Sequence, residues 1–231
     1  VVLSEPLKWG QRLTLFDFEL VWEKGCWKVE KVGAKVLNSN TVEEDPKITK
    51  LLGDEHEKVV AYVNQVIGTN AAEMTSAQAP YKDVPIIDLI NHIQADTVKQ
   101  ALAGTEHAAL PVLSQAACFS RSARIPAGEV TIRDVAGLYV FENTLEARLM
   151  TGAQMKAYLE YSANYFVQTA PGAAVDPAKL TNANGTPDYN YDVVSGLSYE
   201  IDIAKPAGSR VTNVRFEGQP LADDAKFVFA V

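Results

Sequence analysis

A short segment in the middle of the chain concentrates side chains that could do chemistry. Ser114, Ser120 and Ser122 could act as nucleophiles, and Arg121 and Arg124 could bind an anion. No G-x-S-x-G motif surrounds the serines and no histidine is near them in sequence, so a serine hydrolase has little support. A guanidinium group donates two parallel hydrogen bonds to a pair of oxygens, which suits it to an anionic ligand. From the residue types alone, each arginine is most simply a surface side chain.

A second candidate segment is Phe141-Glu142-Asn143, which interrupts an apolar and aromatic run. An aromatic ring can stack on a nucleobase, and an asparagine amide can both donate and accept hydrogen bonds. A phenylalanine after Leu-Tyr-Val is more often a core residue, and an asparagine in this position is more often a turn residue. The polar pair that follows Phe141 indicates that the segment reaches the surface, which keeps a binding role open.

The spacing of histidines and cysteines predicts neither a metal site nor a disulfide framework. His56, His92 and His107 lie outside H-x-H and H-E-x-x-H motifs, and none has a second histidine or a cysteine close by. Cys26 and Cys118 are far apart and are predicted to be free and packed. We therefore expect no cofactor to be held by this chain.

The composition is that of an ordinary globular domain with an acidic balance. Hydrophobic residues make up 47%, charged residues 22%, and the formal net charge is −8. Such a chain is a poor partner for polymeric nucleic acid, although a local pair of arginines could still bind one small nucleotide. No apolar run approaches the roughly 20 residues of a membrane helix, so we expect no membrane span. The chain begins with Val1 and stops in an apolar strand, and we expect it to be a piece of a longer protein.

Hydrophobic periodicity in the first part of the chain predicts a hairpin followed by a helix. Residues 11–37 largely alternate between apolar and polar around the turn Glu23-Lys24-Gly25, which is typical of a β-hairpin. Asp45-Pro46 then starts an amphipathic helix that we expect to end at Gly68.

The rest of the chain predicts an α+β domain. One helix is expected between Pro85 and Gly104, and another begins at the capping-box pattern Thr151–Gln154. Residues 169–188 are rich in Pro, Gly, Asn, Asp and Thr and are expected to form a long surface loop. Strands are predicted at 130–132, 145–150, 192–194, 197–203, 211–216 and 227–231. Two further apolar segments are 110–113 and 139–141.

Five pieces of the second half of the chain carry a resemblance to a known family. They are LPVLSQAACF (110–119), Arg124, IPAGEVTIRDVAGLYVFENTLEARLMTGAQMKAYLEYSA (125–163), YNYDVVSGLSYEID (189–202) and VTNVRFEGQPLADDAKFVFAV (211–231). In this order they resemble the C-terminal domain of the 5'-nucleotidase family, most closely its branch of 2',3'-cyclic-nucleotide 2'-phosphodiesterase/3'-nucleotidases. The resemblance implies an α+β fold with a mixed sheet and packed helices, preceded by a hairpin and a linker helix.

The resemblance also implies a division of the chain into three parts. Residues 1–44 would be the end of an N-terminal metallophosphoesterase domain, in the form of a β-hairpin. Residues 45–68 would be a linker helix. Residues 69–231 would be the nucleotide-binding C-terminal domain, truncated at its end.

Residue by residue, the resemblance implies a substrate-binding site of five side chains. Arg124 matches the arginine that contacts the anionic or ribose end of the substrate. Phe141 matches the aromatic residue that stacks on the base, and Asn143 matches an asparagine that contacts the base. Tyr191 and Asp192 lie near the place where the family closes the base pocket.

The sequence departs from the family pattern beside Arg124. Ser122-Ala123 stands where the family often has Gly-Gly, and side chains there could restrict how closely the backbone approaches a ligand. Arg121 matches no motif position. The second stacking aromatic of the family falls beyond Val231, so only half of the base sandwich lies in this sequence.

The function implied by the resemblance is substrate binding and specificity within a larger secreted phosphoesterase. The full-length enzyme would be a metal-dependent hydrolase that splits 2',3'-cyclic nucleotides, 3'-nucleotides or 5'-nucleotides, with two divalent metal ions in its N-terminal domain. This chain would supply no catalytic residue and no metal ligand, and would be inactive alone. Its partners would be a nucleotide or nucleoside and its own N-terminal domain, in an extracytoplasmic location that is periplasmic, secreted or attached to the cell wall.

Two alternatives remain open. The chain could be a non-catalytic cell-surface or interaction module that kept the fold and lost the pocket. It could also be a serine hydrolase that uses Ser114, Ser120 or Ser122. Binding of adenosine would separate the first alternative from nucleotide binding, and labelling by a serine-reactive phosphonate would support the second.

Overall fold

The computed structural model describes residues 2–231, and contacts within the chain divide it into one unit up to Val60 and a second unit, Ala61–Val231. The first unit contains β1 (Arg12–Glu23), β2 (Cys26–Asn38) and most of α1 (Pro46–Val63). The second unit contains β3 (Val66–Asn70), β4 (Met74–Thr75), α2 (Pro85–Leu102), β5 (Val112–Ala117), β6 (Arg124–Ile125), β7 (Gly128–Thr131), α3 (Ile132–Ala136), β8 (Ala147–Thr151), α4 (Gly152–Ser162), β9 (Asp192–Ser195), β10 (Ser198–Ile201), β11 (Val211–Phe216), β12 (Gln219–Pro220) and β13 (Lys226–Ala230).

The predicted hairpin is present at the predicted place. β1 and β2 pair antiparallel, and Glu23 is opposite Cys26 at the turn. The two turn residues, Lys24 and Gly25, have positive φ angles of 52° and 83°. Such a two-residue turn matches the right-handed twist of the flanking strands, which explains why a glycine is placed there.

The helix after the hairpin is shorter than predicted. It begins at Pro46, with the Asp45 carboxylate accepting a hydrogen bond of 2.8 Å from the backbone N–H of Lys47, but it ends at Val63 instead of Gly68. The residues that follow form β3, which pairs antiparallel with β7. Residues 66–69, Val-Ile-Gly-Thr, suit a strand because they are mostly β-branched. The apolar spacing in this segment also suits a helix, and the strand that pairs with it lies about 60 residues further along the chain, outside any local pattern.

The second unit is built on a four-stranded mixed sheet. Its strand order is β8-β13-β5-β9, with β13 parallel to β5 and antiparallel to β8. β9 pairs antiparallel with β5 at one edge. The central strand β13 is buried on both faces, as its continuous apolar run Phe-Val-Phe-Ala requires.

One face of this sheet packs against α4. Phe227 and Phe229 of β13 and Leu113 of β5 form a cluster with Met155 and Leu159 of the helix, and all five are at least 98% buried. Burial of a side chain of this size contributes about 1.5–3 kcal/mol. The capping box predicted at Thr151 starts α4, because Thr151 and Gln154 exchange side-chain and backbone hydrogen bonds.

The opposite face of the sheet packs against α2. Val228 and Ala230 alternate with the two phenylalanines of β13, and they contact Val98 of this helix. Successive side chains of a strand point to opposite faces, so one five-residue strand supplies both layers of the core.

Smaller elements complete the second unit. β10, β11 and β12 form an antiparallel sheet, and β3–β7 and β4–β6 are two short ladders. The apolar and aromatic segment 139–141 is irregular, and β8 begins at Ala147. The predicted α+β class with a mixed sheet and packed helices is confirmed.

Candidate functional site

Three loops meet at one edge of the four-stranded sheet. β13 and β5 are parallel, so their C-terminal ends lie at the same edge, and β9 begins beside the end of β5, where Asp192 pairs with Ala117. Val231 and Glu146 exchange two backbone hydrogen bonds just before β8 begins. This loop edge therefore collects the loop after β5, the segment before β8 and the segment before β9, which are residues 118–123, 137–146 and 181–191. Loops held by rigid strands are where ligand-binding residues tend to lie.

Ser76 fixes the loop between β5 and Arg124. The backbone N–H of Ser76 donates to the carbonyl oxygen of Ala123 at 3.1 Å, and its hydroxyl lies within hydrogen-bond distance of the carbonyls of Ser120 and Ala123. Thr75 of β4, which precedes Ser76, pairs with Arg124 of β6. Thr75 and Ser76 together therefore hold the backbone at Arg124 and at the residue before it.

The Arg124 side chain itself is exposed and only weakly engaged. Its Nη1 lies 3.2 Å from Oε2 of Glu73, and the two side chains are 62% and 51% exposed. An ion pair so open to solvent contributes about 0–1 kcal/mol, because water screens it. The guanidinium can exchange Glu73 for a ligand at little cost.

An aromatic chain runs along the loop edge and ends at Phe141. The ring centroids of Phe119 and Tyr139 are 4.3 Å apart, those of Tyr139 and Phe141 are 5.9 Å apart, and both pairs meet edge to face. Phe141 is 58% exposed. The side-chain amide of Asn143 donates to the Tyr139 hydroxyl. Phe141 and Asn143 thus share a support, Tyr139, which also contacts the loop that leads to Arg124.

Tyr191 and Asp192 lie at the start of β9, but their side chains are committed elsewhere. The Tyr191 ring is buried, stacks on Tyr165 at a centroid distance of 4.7 Å and meets Phe166 edge-on. The Asp192 carboxylate accepts a hydrogen bond of 2.6 Å from the hydroxyl of Tyr158 on α4. Burial raises the pKa of Asp192, and the bond from Tyr158 partly opposes that rise.

The five predicted residues therefore do not form one contacting cluster, and Arg124, whose side-chain contact is with Glu73, stands apart from the other four. Phe141 and Asn143 are linked to each other through Tyr139. No hydrogen bond, ion pair or aromatic contact within residues 2–231 joins Tyr191 or Asp192 to that pair or to Arg124. A binding role for each of the five residues stays a prediction.

Arg121, which matched no motif position, is the centre of a polar network at the loop edge. Its Nε and Nη2 donate to the two carboxylate oxygens of Asp188, at 2.6 and 2.8 Å, and Nη2 also donates to Oδ1 of Asn182 at 2.9 Å. The Tyr165 hydroxyl donates to Asp188 at 2.6 Å. These contacts join the loop after β5 to the loop before β9. No sequence signal connects residues 67 positions apart, so the network could not be predicted.

The network shifts the ionisation of its members in the direction expected for a bidentate ion pair. The hydrogen bonds from Arg121 are the main cause that holds the pKa of Asp188 well below its ordinary range. The same bonds raise the pKa of Arg121. Burial, followed by the bond to Asp188, raises the pKa of Tyr165 to about 12.

The serines do not form a nucleophilic site within the part of the chain that the structure describes. Ser114 is buried, and its hydroxyl donates to Oε1 of Gln94 at 3.1 Å. Ser120 and Ser122 share a hydrogen bond of 2.9 Å with each other. None of the three has a histidine as a hydrogen-bond partner among residues 2–231, so the geometry gives the serine hydrolase alternative no support.

Within residues 2–231, no group of three or more His, Cys, Asp or Glu side chains is arranged to hold a metal ion. Over the same residues, none of the helices combines the length and apolar character needed to cross a bilayer.

Known proteins with similar sequences are nucleotide phosphoesterases by name. A trifunctional nucleotide phosphoesterase, YfkN, from Bacillus subtilis is 31% identical over 245 residues, which cover 96% of this chain and 17% of that protein. A 2',3'-cyclic-nucleotide 2'-phosphodiesterase/3'-nucleotidase from Haemophilus influenzae is 33% identical over 251 residues, covering 96% of this chain and 38% of that protein. The chain thus spans about two fifths or less of the length of these relatives.

Solved structures share the fold. A Staphylococcus aureus protein described as a 5'-nucleotidase matches with a TM-score of 0.64 at 22% identity, over 92% of this chain and 39% of that one. A 5'-nucleotidase precursor from Thermus thermophilus matches with a TM-score of 0.59 at 23% identity, over 99% of this chain and 41% of that one. At these identities the likeness shows the architecture alone.

The family assignment rests on a match that covers the whole of the second unit. The family described as "5'-nucleotidase, C-terminal domain" matches residues 59–231, which include all four strands of the mixed sheet and the whole loop edge. The resemblance inferred from the sequence is therefore confirmed, and this chain belongs to the 5'-nucleotidase C-terminal domain family.

Proposed function

We propose that the second unit binds the nucleotide substrate of a larger phosphoesterase and sets its specificity. The observation that carries this proposal is the placement of Phe141, whose ring is largely exposed and yet held edge-on by Tyr139. Tyr139 packs in turn on Phe119. An exposed ring that is already held loses little conformational freedom when a base stacks on it, so the stacking energy is retained in the affinity.

Two polar side chains, Asn143 and Arg124, would supply the remaining contacts. The Asn143 amide can bond to the edge of a base, because it has both donors and an acceptor. The exposed Arg124 guanidinium can take a phosphate or ribose oxygen pair in place of Glu73, since the exposed ion pair with Glu73 is weak. Tyr191 and Asp192 would support the wall of the site from within and would not be its main contacts.

Arg121 has a positioning role in this proposal. Its guanidinium fork is filled by Asp188, so it is not free to bind a second anion bidentately. By tying the loop after β5 to the loop before β9, it holds in place the segment that carries Arg124.

The activity of the larger protein is part of the same proposal. The names of the relatives support hydrolysis of a 2',3'-cyclic or 3'-nucleotide, with a 5'-nucleotide as the other choice. Such chemistry needs divalent metal ions, but residues 2–231 do not offer a fitting set of ligands, so the two ions would be held by an N-terminal domain. The parent protein would act outside the cytoplasm.

The test is equilibrium binding of adenosine to the purified chain, monitored by ligand-observed NMR. The wild-type chain should bind weakly and saturably, and Phe141→Ala should weaken binding by about 5- to 150-fold, the loss of one stacking face. Tyr161→Ala is the matched control, since Tyr161 is an exposed aromatic on α4 that the proposed site does not include.

Two results would overturn the proposal. One is the absence of saturable binding to the wild-type chain, which would favour a non-catalytic interaction module. The other is an equal loss of affinity in Phe141→Ala and Tyr161→Ala, which would show that the binding does not depend on the loop edge.

A further inference from the structure

Glu73, the acidic partner of Arg124, lies in the short turn between β3 and β4, and the fold fixes both ends of this turn. At one end, β3 pairs with β7, and the side-chain amide of Asn70 donates to the carbonyl oxygen of Pro126 at 3.2 Å. At the other end, Thr75 of β4 pairs with Arg124 of β6. The backbone that carries the carboxylate is therefore fixed beside the strand that carries the guanidinium.

The two side chains are in contact through one atom of each group. Nη1 of Arg124 lies 3.2 Å from Oε2 of Glu73. The second carboxylate oxygen can still accept a hydrogen bond, and the guanidinium has further N–H groups to donate. Both side chains are more than half exposed, so a ligand can reach them. The pair presents an acceptor and donors side by side, which neither residue offers alone.

The charged groups around Arg124 balance one another. Glu73 is one acidic neighbour. Asp134 of α3 is a second, because hydrogen bonds from Thr131 and, after them, the positive charge of Arg124 lower the pKa of Asp134. Arg133 acts on the same carboxylate. These two guanidinium groups and two carboxylates have no surplus of positive charge to attract a phosphate dianion, and the formal net charge of the chain is −8.

A ribose hydroxyl fits this pair better than a phosphate group does. A hydroxyl is both a donor and an acceptor, so it can donate to Glu73 while its oxygen accepts an N–H of Arg124. A phosphate group offers acceptors and negative charge, and it would lie against the fixed carboxylate of Glu73. Such a meeting of like charges discriminates against the ligand that carries the phosphate.

We propose that Glu73 is a specificity-determining residue of the nucleotide site, which together with Arg124 binds ribose hydroxyl and rejects phosphate at that position. This role rests on the proposed function, in which the base stacks on Phe141. The hydroxyl is either the 5'-hydroxyl of a 3'- or 2',3'-cyclic nucleotide, or the 2',3'-hydroxyl pair of a 5'-nucleotide.

Three ligands with the same base test this role: adenosine, adenosine 3'-monophosphate and adenosine 5'-monophosphate. Their dissociation constants for the full chain are measured by ligand-observed NMR at one ionic strength, because salt screens the repulsion. Adenosine should bind about tenfold more tightly than the monophosphate whose phosphate meets Glu73. The rejected monophosphate identifies the end of the ribose that the pair contacts. Binding of both monophosphates as tightly as adenosine, or more tightly, would overturn the proposal.

Glu73→Gln then assigns the preference to the carboxylate. The amide keeps the shape of the side chain and removes its charge, so adenosine affinity should fall and affinity for the rejected monophosphate should rise. The ratio of the two dissociation constants should change about tenfold. Glu55→Gln is the matched control, since Glu55 forms an exposed ion pair with Lys58 at 2.7 Å on α1 and is not part of the proposed site. A ratio that is unchanged in Glu73→Gln, or changed equally in Glu55→Gln, would contradict the role of Glu73.

The wild-type chain and Phe141→Ala separate this role from the proposed function. If adenosine binds and Phe141→Ala weakens its binding, but Glu73→Gln leaves the ratio unchanged, the nucleotide site stands and the role of Glu73 is wrong. If the wild-type chain does not bind adenosine, both are wrong. Misfolding of Glu73→Gln would lower the affinity for all the ligands alike, whereas the expected result is a change in their ratio.

Discussion

At the scale of single residues, Arg121 and Arg124 show how neighbours in sequence can differ in their contacts. The two guanidinium groups are three positions apart on one loop. Arg121 forms a bidentate pair with Asp188, whereas Arg124 has a single exposed contact with Glu73. The first group is engaged by the fold on two sides of its fork, whereas the second is 62% exposed. Charge alone does not separate these roles; the position of the acidic partner does.

The Arg121–Asp188 pair should make stability depend on pH. The folded-state pKa of Asp188 lies below its ordinary value of 3.8. The pair therefore stabilises the fold fully above that value, and its contribution is lost as the pH falls towards the folded-state pKa. We expect Asp188→Asn to lower the free energy of unfolding by about 1–2 kcal/mol near neutral pH, a figure that allows for screening of the partly exposed pair. The difference in the free energy of unfolding between wild type and variant should be smaller at about pH 3 than near neutral pH.

Urea unfolding of both proteins at the two pH values measures this gap. Asp176→Asn serves as the control, because Asp176 pairs with Lys179 at 3.6 Å in an exposed position and should contribute about 0–1 kcal/mol at most. A gap for Asp188→Asn that stays constant or grows on acidification would contradict the linkage.

At the scale of elements, the loop edge is positioned by the packing of the mixed sheet between α2 and α4. β13 supplies side chains to both layers, and β8 and α4 follow each other without a linker at Thr151 and Gly152. A Cβ atom added at Gly152 would lie 2.0 Å from the carbonyl oxygen of Ala222. The close approach of these two backbone segments explains why this helix begins with a glycine.

Gly152→Ala should therefore destabilise the second unit strongly. The new methyl group meets backbone that cannot turn away, so α4 must shift from the sheet, at a cost of about 3 kcal/mol. Gly53→Ala provides a comparison, because we expect it to increase stability. No atom lies within 4 Å of a Cβ at Gly53, which is inside α1, so we expect a gain of about 0.5–1 kcal/mol from the better helix propensity. Denaturant midpoints measure both changes, and a midpoint for Gly152→Ala equal to that of the wild type would disprove the packing argument.

At the scale of the whole molecule, the described residues show neither a metal-holding cluster nor a serine paired with a histidine. The serines concerned are Ser114, Ser120 and Ser122, whose hydroxyls bond to Gln94 or to each other. The relatives of this chain are more than twice its length. These observations support the proposal made above, in which the chemistry is supplied by another domain of a longer protein.

We expect the purified chain to show no hydrolysis of 2',3'-cyclic AMP above a buffer blank when Mn²⁺ or Zn²⁺ is added. The physical reason is that no described set of side chains can hold a metal ion to activate water. Product formation is measured by chromatography, with the Haemophilus influenzae relative as a positive control. Turnover that depends on the added metal would show that the chain contains a catalytic site.

Much of the fold was determined locally and could be predicted. The hairpin turn at Lys24-Gly25, the capping box at Thr151 and the apolar strand β13 each depend on residues within about four positions of one another, so the sequence contains the whole signal. The surface position of Phe141 followed from the polar residues after it. The turn and the cap depend on local backbone conformation and hydrogen bonding, and the exposure of Phe141 depends on burial, all of which amino-acid type reports directly.

Contacts between distant segments were decided only by the tertiary structure. Val66–Asn70 became a strand because β7 was available to pair with it, although its spacing also suits a helix. Arg121 meets Asp188 across 67 positions, and Asn91 meets Val193 across 102. Periodicity in a sequence reports which side chains are buried, but not which buried segments meet, since that choice depends on loop closure and on the order of strands in the sheet.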